Sequence, residues 1–277
     1  MSISYSHRHH SRLEMQLFFI PMAVVFMISI AFAKHTEAIE KAFPFSPGER
    51  LTFQVKWSFI PAGEGVLEIL PIETVNGIKS YHFLMTVKTY PFIDLFYKVR
   101  DRIDAYTDIE MTHSILYKKR NQGKSKRNVI VNFNWEKHEA QYCNFGKKRK
   151  PIPIKPGSFD PLSVFYAFRL HDLKENLEIQ APVTDGKRCV IGKVKIIKRE
   201  TIKVASGTYD TYLTEPDLRH IRGVFQRSKN AKLQIWVTAD NRRTPVKIKS
   251  KVSVGSFVAE LISAEKIGPD ISTSKPQ

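Results

Sequence analysis

Nine histidines, two cysteines and a scatter of acidic residues are the groups through which this 277-residue chain could do chemistry, and their spacing argues against most of it. His7, His9 and His10 imitate a metal site, but they precede a long apolar stretch and belong with an N-terminal leader. His82, His113, His138, His171 and His220 stand singly, the pattern of surface or hydrogen-bonded histidines. There is no His-Glu-x-x-His pair, no Gly-x-Ser-x-Gly elbow and no phosphate-cradling glycine loop. Asp101, Asp104 and Asp108 have Arg100 and Arg102 beside them, so they read as an ion-paired strand face. An acid/base pair would need two carboxyls tuned apart by their surroundings. Neither Cys143 nor Cys189 has a second Cys or His at ligand spacing, so no metal and no cofactor is expected. A hydrolase would have to draw on residues as distant as Asp101, Ser163 and His171.

What remains is binding chemistry. Phe53, Trp57, Phe83, Phe133, Trp135, Tyr212 and Trp236 fall at inward-looking positions of apparent strands, where a curved sheet can line an apolar cavity. Of these, Phe53, Trp57, Phe83, Trp135, Tyr212 and Trp236 are the candidate ligand-binding aromatics; the alternative is a plain packed core. Positive charge is concentrated at Lys118, Lys119, Arg120, Lys124 and Arg127, at Lys147, Lys148, Arg149 and Lys150, and at Arg219–Lys229. The formal net charge is +17, which favours anionic partners. Together the two sets suit an amphipathic or anionic ligand, with contact to a membrane surface as a further possibility.

The elements that must hold these groups are strands. Leu51, Phe53, Val55, Trp57 and Phe59 alternate with polar residues, giving a strand with one apolar face. Pro61-Ala62-Gly63 is expected to end it, with Glu64–Leu70 as the next strand. Asn76-Gly77 and Asp185-Gly186 are hairpin turns, since those residues tolerate positive φ. His113–Arg120 and Arg127–Trp135 form another hairpin, and Glu139–Phe145 a further strand. Pro151, Pro153 and Pro156 suggest an extended connector. Asp160-Pro161 has the form of an N-cap followed by proline, predicting one helix over Pro161–Leu170. Short strands are expected at Leu177–Val183, Lys187–Ile191, Val194–Val204, Thr208–Glu215, Ala231–Thr238, Thr244–Val252 and Ser256–Ile262. The pattern predicts an all-β protein: a strongly curved antiparallel sheet or incomplete barrel with one covering helix, or alternatively a β-sandwich.

Leu17–Ala33 is uncharged, follows basic residues and closes on Ala31-Phe32-Ala33, the three parts of a secretory signal peptide with cleavage after Ala33. A retained N-terminal anchor is the alternative, because the run just reaches spanning length. Either way the rest lies outside the cytoplasm, where Cys143 and Cys189 form a candidate disulfide. Residues 34–44 read as a lead-in linker, 45–265 as the β-domain and 266–277 as a polar tail. The Pro-rich connector divides the domain into candidate halves, 45–150 and 158–265. An exported chain without a reader motif is a poor nucleic-acid binder.

Several stretches resemble the domain-of-unknown-function 3108 family. Phe45–Phe53 (Phe-Ser-Pro-Gly-Glu-Arg-Leu-Thr-Phe) with Pro61–Glu64 resembles its opening, and Asp94–Arg102 its central motif. Asp160–Ser163, Gly207–Thr211, Trp236–Pro245 and Gly255–Glu260 are similar to the later ones, in the same order. The resemblance implies an exported protein of a Gram-negative bacterium, hence a periplasmic location; the family has no assigned activity or catalytic residues to carry over. The later strands are also similar to those of the periplasmic lipoprotein-carrier fold. The expectation is a non-enzymatic periplasmic protein that binds a lipid-like or polysaccharide ligand. An adaptor docking on an envelope protein is the alternative, and an envelope hydrolase the last.

Overall fold

The computed structural model describes residues 43–123, 126–217, 232–251 and 256–266. The leader at 1–33, the lead-in as far as residue 42, Lys124, the basic segment Arg219–Lys229 and the tail beyond Lys266 lie outside the described residues.

Alternation of apolar and polar residues builds strand after strand. These are β1 (Glu49–Trp57), β2 (Ile60–Val75), β3 (Ile78–Thr89), β4 (Arg100–Asp108), β5 (Ser114–Asn121), β6 (Arg127–Asn134), β7 (Glu139–Asn144), β8 (Lys147–Lys148) and β9 (Ile152–Pro153). After a helix come β10 (Glu178–Thr184), β11 (Cys189–Val204), β12 (Gly207–Pro216), β13 (Lys232–Thr238), β14 (Pro245–Lys251) and β15 (Ser256–Lys266). All fifteen belong to one sheet with antiparallel neighbours. The order is β10-β11-β12-β13-β14-β15-β1-β2-β3-β4-β5-β6-β7-β8, with β9 on β7. The last strand pairs with the first, Phe53 opposite Leu261, so the meander is continuous through the junction of its two ends.

The two flanks of this sheet are stitched together. After β9 the chain donates from Ile154 N to His138 O (2.9 Å), and Ser158 O accepts from Ser114 N (3.1 Å). Phe159 then donates to Pro182 O (2.9 Å) and accepts from Thr184 N (2.9 Å), a parallel bridge onto β10. The all-β, curved and nearly closed arrangement is the one expected from the strand pattern; a two-sheet sandwich is not formed.

Inward positions recur at every second residue: Leu67 and Ile69, Tyr81 and Phe83, Val129, Val131 and Phe133, Ala140 and Tyr142. The helix α2 (Ser163–Phe168) covers them, and Tyr166 stacks on Phe83 with ring centres 4.0 Å apart and planes 12° apart. Each large side chain buried this way contributes about 1.5–3 kcal/mol by leaving water.

Several boundaries differ from the sequence expectation. Pro61-Ala62-Gly63 does not end a strand but lies inside β2, because a register shift between Val55 and Lys56 absorbs the irregularity. Gly63 is required there: a Cβ would stand 2.3 Å from the Lys88 carbonyl oxygen of β3. Lys187–Ile191 and Val194–Val204 are not separate strands; β11 runs unbroken from Cys189 through Gly192. The Pro-rich connector is partly recruited into the sheet, Ile152 lying opposite Ala140. The helix is shorter than Pro161–Leu170, ending in tight i−3 bonds from Arg169 N to Tyr166 O and from Leu170 N to Ala167 O. A second short helix, α1 (Pro91–Asp94), lies between β3 and β4. The cysteines are free thiols, against the candidate disulfide. Tyr142 takes the inward position on β7, so alternation turns Cys143 to the other face, whereas Cys189 packs on the core with Sγ 3.4 Å from Ser158 Oγ.

Candidate functional site

Most strongly polar groups in the barrel wall are neutralised in place. Asp160 is fully buried, and its carboxylate accepts from Ser114 Oγ (2.6 Å), Ser163 Oγ (2.5 Å), Leu162 N (2.8 Å) and Ser163 N (2.9 Å). Burial pushes its carboxyl above the ordinary range, opposed by those four bonds. They tie α2 to β5, so the Asp160-Pro161 capping signal is realised as a structural knot. Ser163 is spent on Asp160, and no hydrogen bond among the described residues links it to His171 or Asp101. Burial first, then Arg243, holds the His171 imidazole below its ordinary pKa. His82 bridges Asp104 (2.9 Å) and Glu73 (2.6 Å). An open depression of about 350 Å³ lies between Arg199, Asp210, Asp240 and Arg242, but its charges pair off as Arg199–Asp210 and Arg242–Asp240. Among the described residues no group of three or more His, Cys, Asp or Glu could hold a metal ion. No helix among them is long and apolar enough to cross a membrane.

One region is different. On β5 the inward row continues from Tyr117 to Lys119, which lies opposite inward Val129 of β6. Lys119 is thus a cation at an interior position near the end of the barrel. Burial pulls its ammonium below the ordinary lysine pKa; Asp101 opposes this, while Arg127 and Lys187 add to it. It has no hydrogen-bond or ion-pair partner among the described residues. Lys187 arrives from the β10–β11 turn, whose Gly186 nests against Val131 and Tyr142, and its Nζ stands 4.7 Å from the Tyr142 ring centre. The Arg149 guanidinium approaches the same ring at 5.2 Å. On the strand carrying Lys119, Asn121 Oδ1 is buried without a partner. Burial, with Asp160, Asp185 and Asp101 behind it, raises the Tyr117 phenol pKa, so that group stays a neutral donor.

The arrangement therefore gathers Lys119, Lys187 and Arg149 near Tyr142 and Tyr117, with Asp101 as the carboxylate that acts on Lys119 and with Asp160 and Asp185 also acting on Tyr117. An anionic group placed there would relieve Lys119, and a hydroxyl beside it would satisfy Asn121.

The sequence-predicted aromatics do not converge on this place. Phe53, Phe83 and Trp236 are buried in the main core, and Trp135 packs against it. Trp135 Nε1 donates to Ser114 O (2.9 Å) and Trp236 Nε1 to Glu200 Oε1 (2.9 Å). Tyr212 lies under the Arg199 guanidinium (5.8 Å) on the outside, and Trp57 is exposed at the sheet end. The basic set fares otherwise. Lys118, Ile130, Cys143 and Lys148 form one row across four strands, with Arg120 two residues along β5. Arg127, Lys147, Arg149 and Lys150 are exposed close by, and among the described members of the set Lys119 turns inward. Lys187 and Asn121 carried no sequence signal beyond the Asp185-Gly186 turn and the end of a strand pattern.

A family model described as a protein of unknown function (DUF3108) matches residues 52–262. No curated protein matches. Among solved structures, a beta-barrel-like protein of domain of unknown function DUF1849 from Brucella abortus superposes with a TM-score of 0.51 at 9% identity, covering 78% of this chain and 96% of that one. That likeness concerns the fold alone. A candidate lipoprotein from Parabacteroides distasonis gives a TM-score of 0.33 at 12% identity, covering 80% of this chain and 97% of that one. A candidate exported protein with a YmcC-like fold from Bacteroides fragilis gives 0.31 at 8%, covering 81% and 98%.

Proposed function

The chain belongs to the DUF3108 family, whose function is unknown, and from that premise we propose that it is an exported, non-enzymatic protein that binds an amphipathic, anionic molecule of the cell envelope. The single observation that carries this reading is Lys119: a half-buried ammonium at an inward position with no ion-pair partner among the described residues, where the one nearby carboxylate, Asp101, is set against Arg127 and Lys187. Burying an unpaired charge is costly, and a fold tolerates it where a ligand supplies the missing charge. The leader-like stretch at Leu17–Ala33 supports export to the periplasm, where acidic lipids and polysaccharides are the abundant anions.

Native mass spectrometry of the protein purified from a periplasm tests the reading. The expected result is a retained acidic small molecule that is absent from Lys119→Met. The same substitution removes a half-buried charge that has no ion pair among the described residues, so it should raise stability, by up to about 1 kcal/mol, in urea unfolding. Loss of stability in Lys119→Met, or wild-type protein recovered empty and cross-linked in cells to a protein instead, would overturn it.

A further inference from the structure

The register brings one set of chain ends to a single end of the sheet. Trp57 lies opposite both Ile60 and Phe257, Gly63 opposite Thr89, Lys88 opposite Arg100, and Asp101 opposite Asn121, which in turn faces Arg127. This rim carries most of the large apolar side chains that the described residues leave in solvent. Phe59 is 94% exposed, Phe92 66%, Leu95 78% and Phe96 75%, with Tyr97, Trp57 and Ile60 beside them. Exposed apolar groups gathered in this way mark an interaction surface.

The loop that carries four of them is held, not slack. Asp94 takes two bonds from the Arg100 guanidinium (2.5 and 3.1 Å) and one from Thr89 Oγ1, while Val99 N donates to Thr89 Oγ1 (2.9 Å). Phe92 and Phe96 meet edge to face with ring centres 5.6 Å apart. An ion-paired stem thus presents Phe92, Leu95, Phe96 and Tyr97 outward as a blunt apolar tip.

The charges around the tip choose the partner. Glu64 is paired with Lys88, Asp94 with Arg100, and Glu260 with Lys56 and Lys247, which leaves Asp101 as a rim acid without an ion pair among the described residues. Lys98, Arg127, Lys147 and Lys251 are exposed at the same end and have no ion pair among the described residues. Apolar and aromatic tips ringed by unpaired cations complement a surface that is apolar within and anionic at its face. We infer that this rim docks on anionic lipid bilayers, with Phe92, Leu95 and Phe96 entering the interface. The inference is tested apart from the Lys119 ligand reading: the two share only Arg127, and Phe92, Leu95 and Phe96 take no part in that reading.

Co-sedimentation with vesicles tests it, using phosphatidylcholine alone and phosphatidylcholine mixed with phosphatidylglycerol. The wild-type chain should partition onto the mixed vesicles, less so at high salt, and weakly onto the neutral ones. Phe92→Ser/Leu95→Ser/Phe96→Ser leaves the Thr89–Asp94–Arg100 stem intact and should keep the far-ultraviolet spectrum and Tm. It should lower partitioning about tenfold or more. Trp57 emission should shift to the blue on binding, and Trp57→Phe should abolish that shift. Equal partitioning of the wild type and the folded triple variant, or no binding of the wild type to the mixed vesicles, overturns the inference. So does loss of a protein partner in the triple variant with vesicle binding unchanged.

Discussion

Replacing Arg169 with methionine should be among the most damaging single changes in this protein. The guanidinium is 1% exposed, yet lies between elements far apart in the chain. Its Nη1 and Nη2 donate to the two carboxylate oxygens of Glu49 at 2.5 and 2.9 Å. Nη2 also reaches Pro44 O (3.3 Å) and Nε reaches Arg242 O (3.1 Å). The rings of Phe45 and Tyr166 flank it at 5.2 and 5.7 Å. Methionine fills most of the volume but leaves Glu49 without its counter-charge and two carbonyls without donors. Breaking a buried pair from one side costs about 3–5 kcal/mol. For a domain of this size each kcal/mol lowers Tm by about 2–4 °C, so a fall of about 6–20 °C is expected. Urea unfolding followed by tryptophan fluorescence, with Arg169→Met, Glu49→Gln and the double variant, closes a cycle. The double variant should recover part of the loss, because a buried pair replaced as a unit is often near neutral. A loss below about 1 kcal/mol in Arg169→Met, or strictly additive single effects, would refute the assignment of this pair as the lock between the first strand and α2.

Asp160→Ala removes four hydrogen bonds to a buried carboxylate and strands two buried N–H groups; a cost of about 2–5 kcal/mol is expected in urea unfolding, and Asp160→Asn should cost less because it keeps an acceptor. Asp104 gives a pH signature: burial raises its pKa, but the bonds to His82 and Arg102 outweigh this and bring it from 3.8 down to about 2. Its folded pKa is depressed, so its contribution is present above the unfolded value near pH 4 and is lost as pH falls toward 2. After discounting for solvent screening the loss is about 1–2 kcal/mol, read as a drop in urea midpoint between pH 5 and pH 2 that Asp104→Asn flattens.

Alternation along each segment was enough to show that the protein is all-β, because a period of two states which face of a strand meets the core regardless of what fills it. The Asn76-Gly77 and Asp185-Gly186 turns and the Asp160 cap were legible for the same reason: each acts within a few residues. The basic character of β5 to β8 was also plain. Only the fold decided that Pro61 sits inside a strand, since the bulge that admits it depends on the pairing of β1 with β2. Only the fold separated Lys119 from Lys118 and Arg120, turning one lysine of a basic run inward beside a hairpin tip some seventy residues later. Arg169 and Glu49, or Trp57 and Phe257, meet through sheet closure, and no local pattern encodes which distant strand becomes a neighbour. Sequence periodicity fixes a side chain's face; the partner on that face is set by long-range packing.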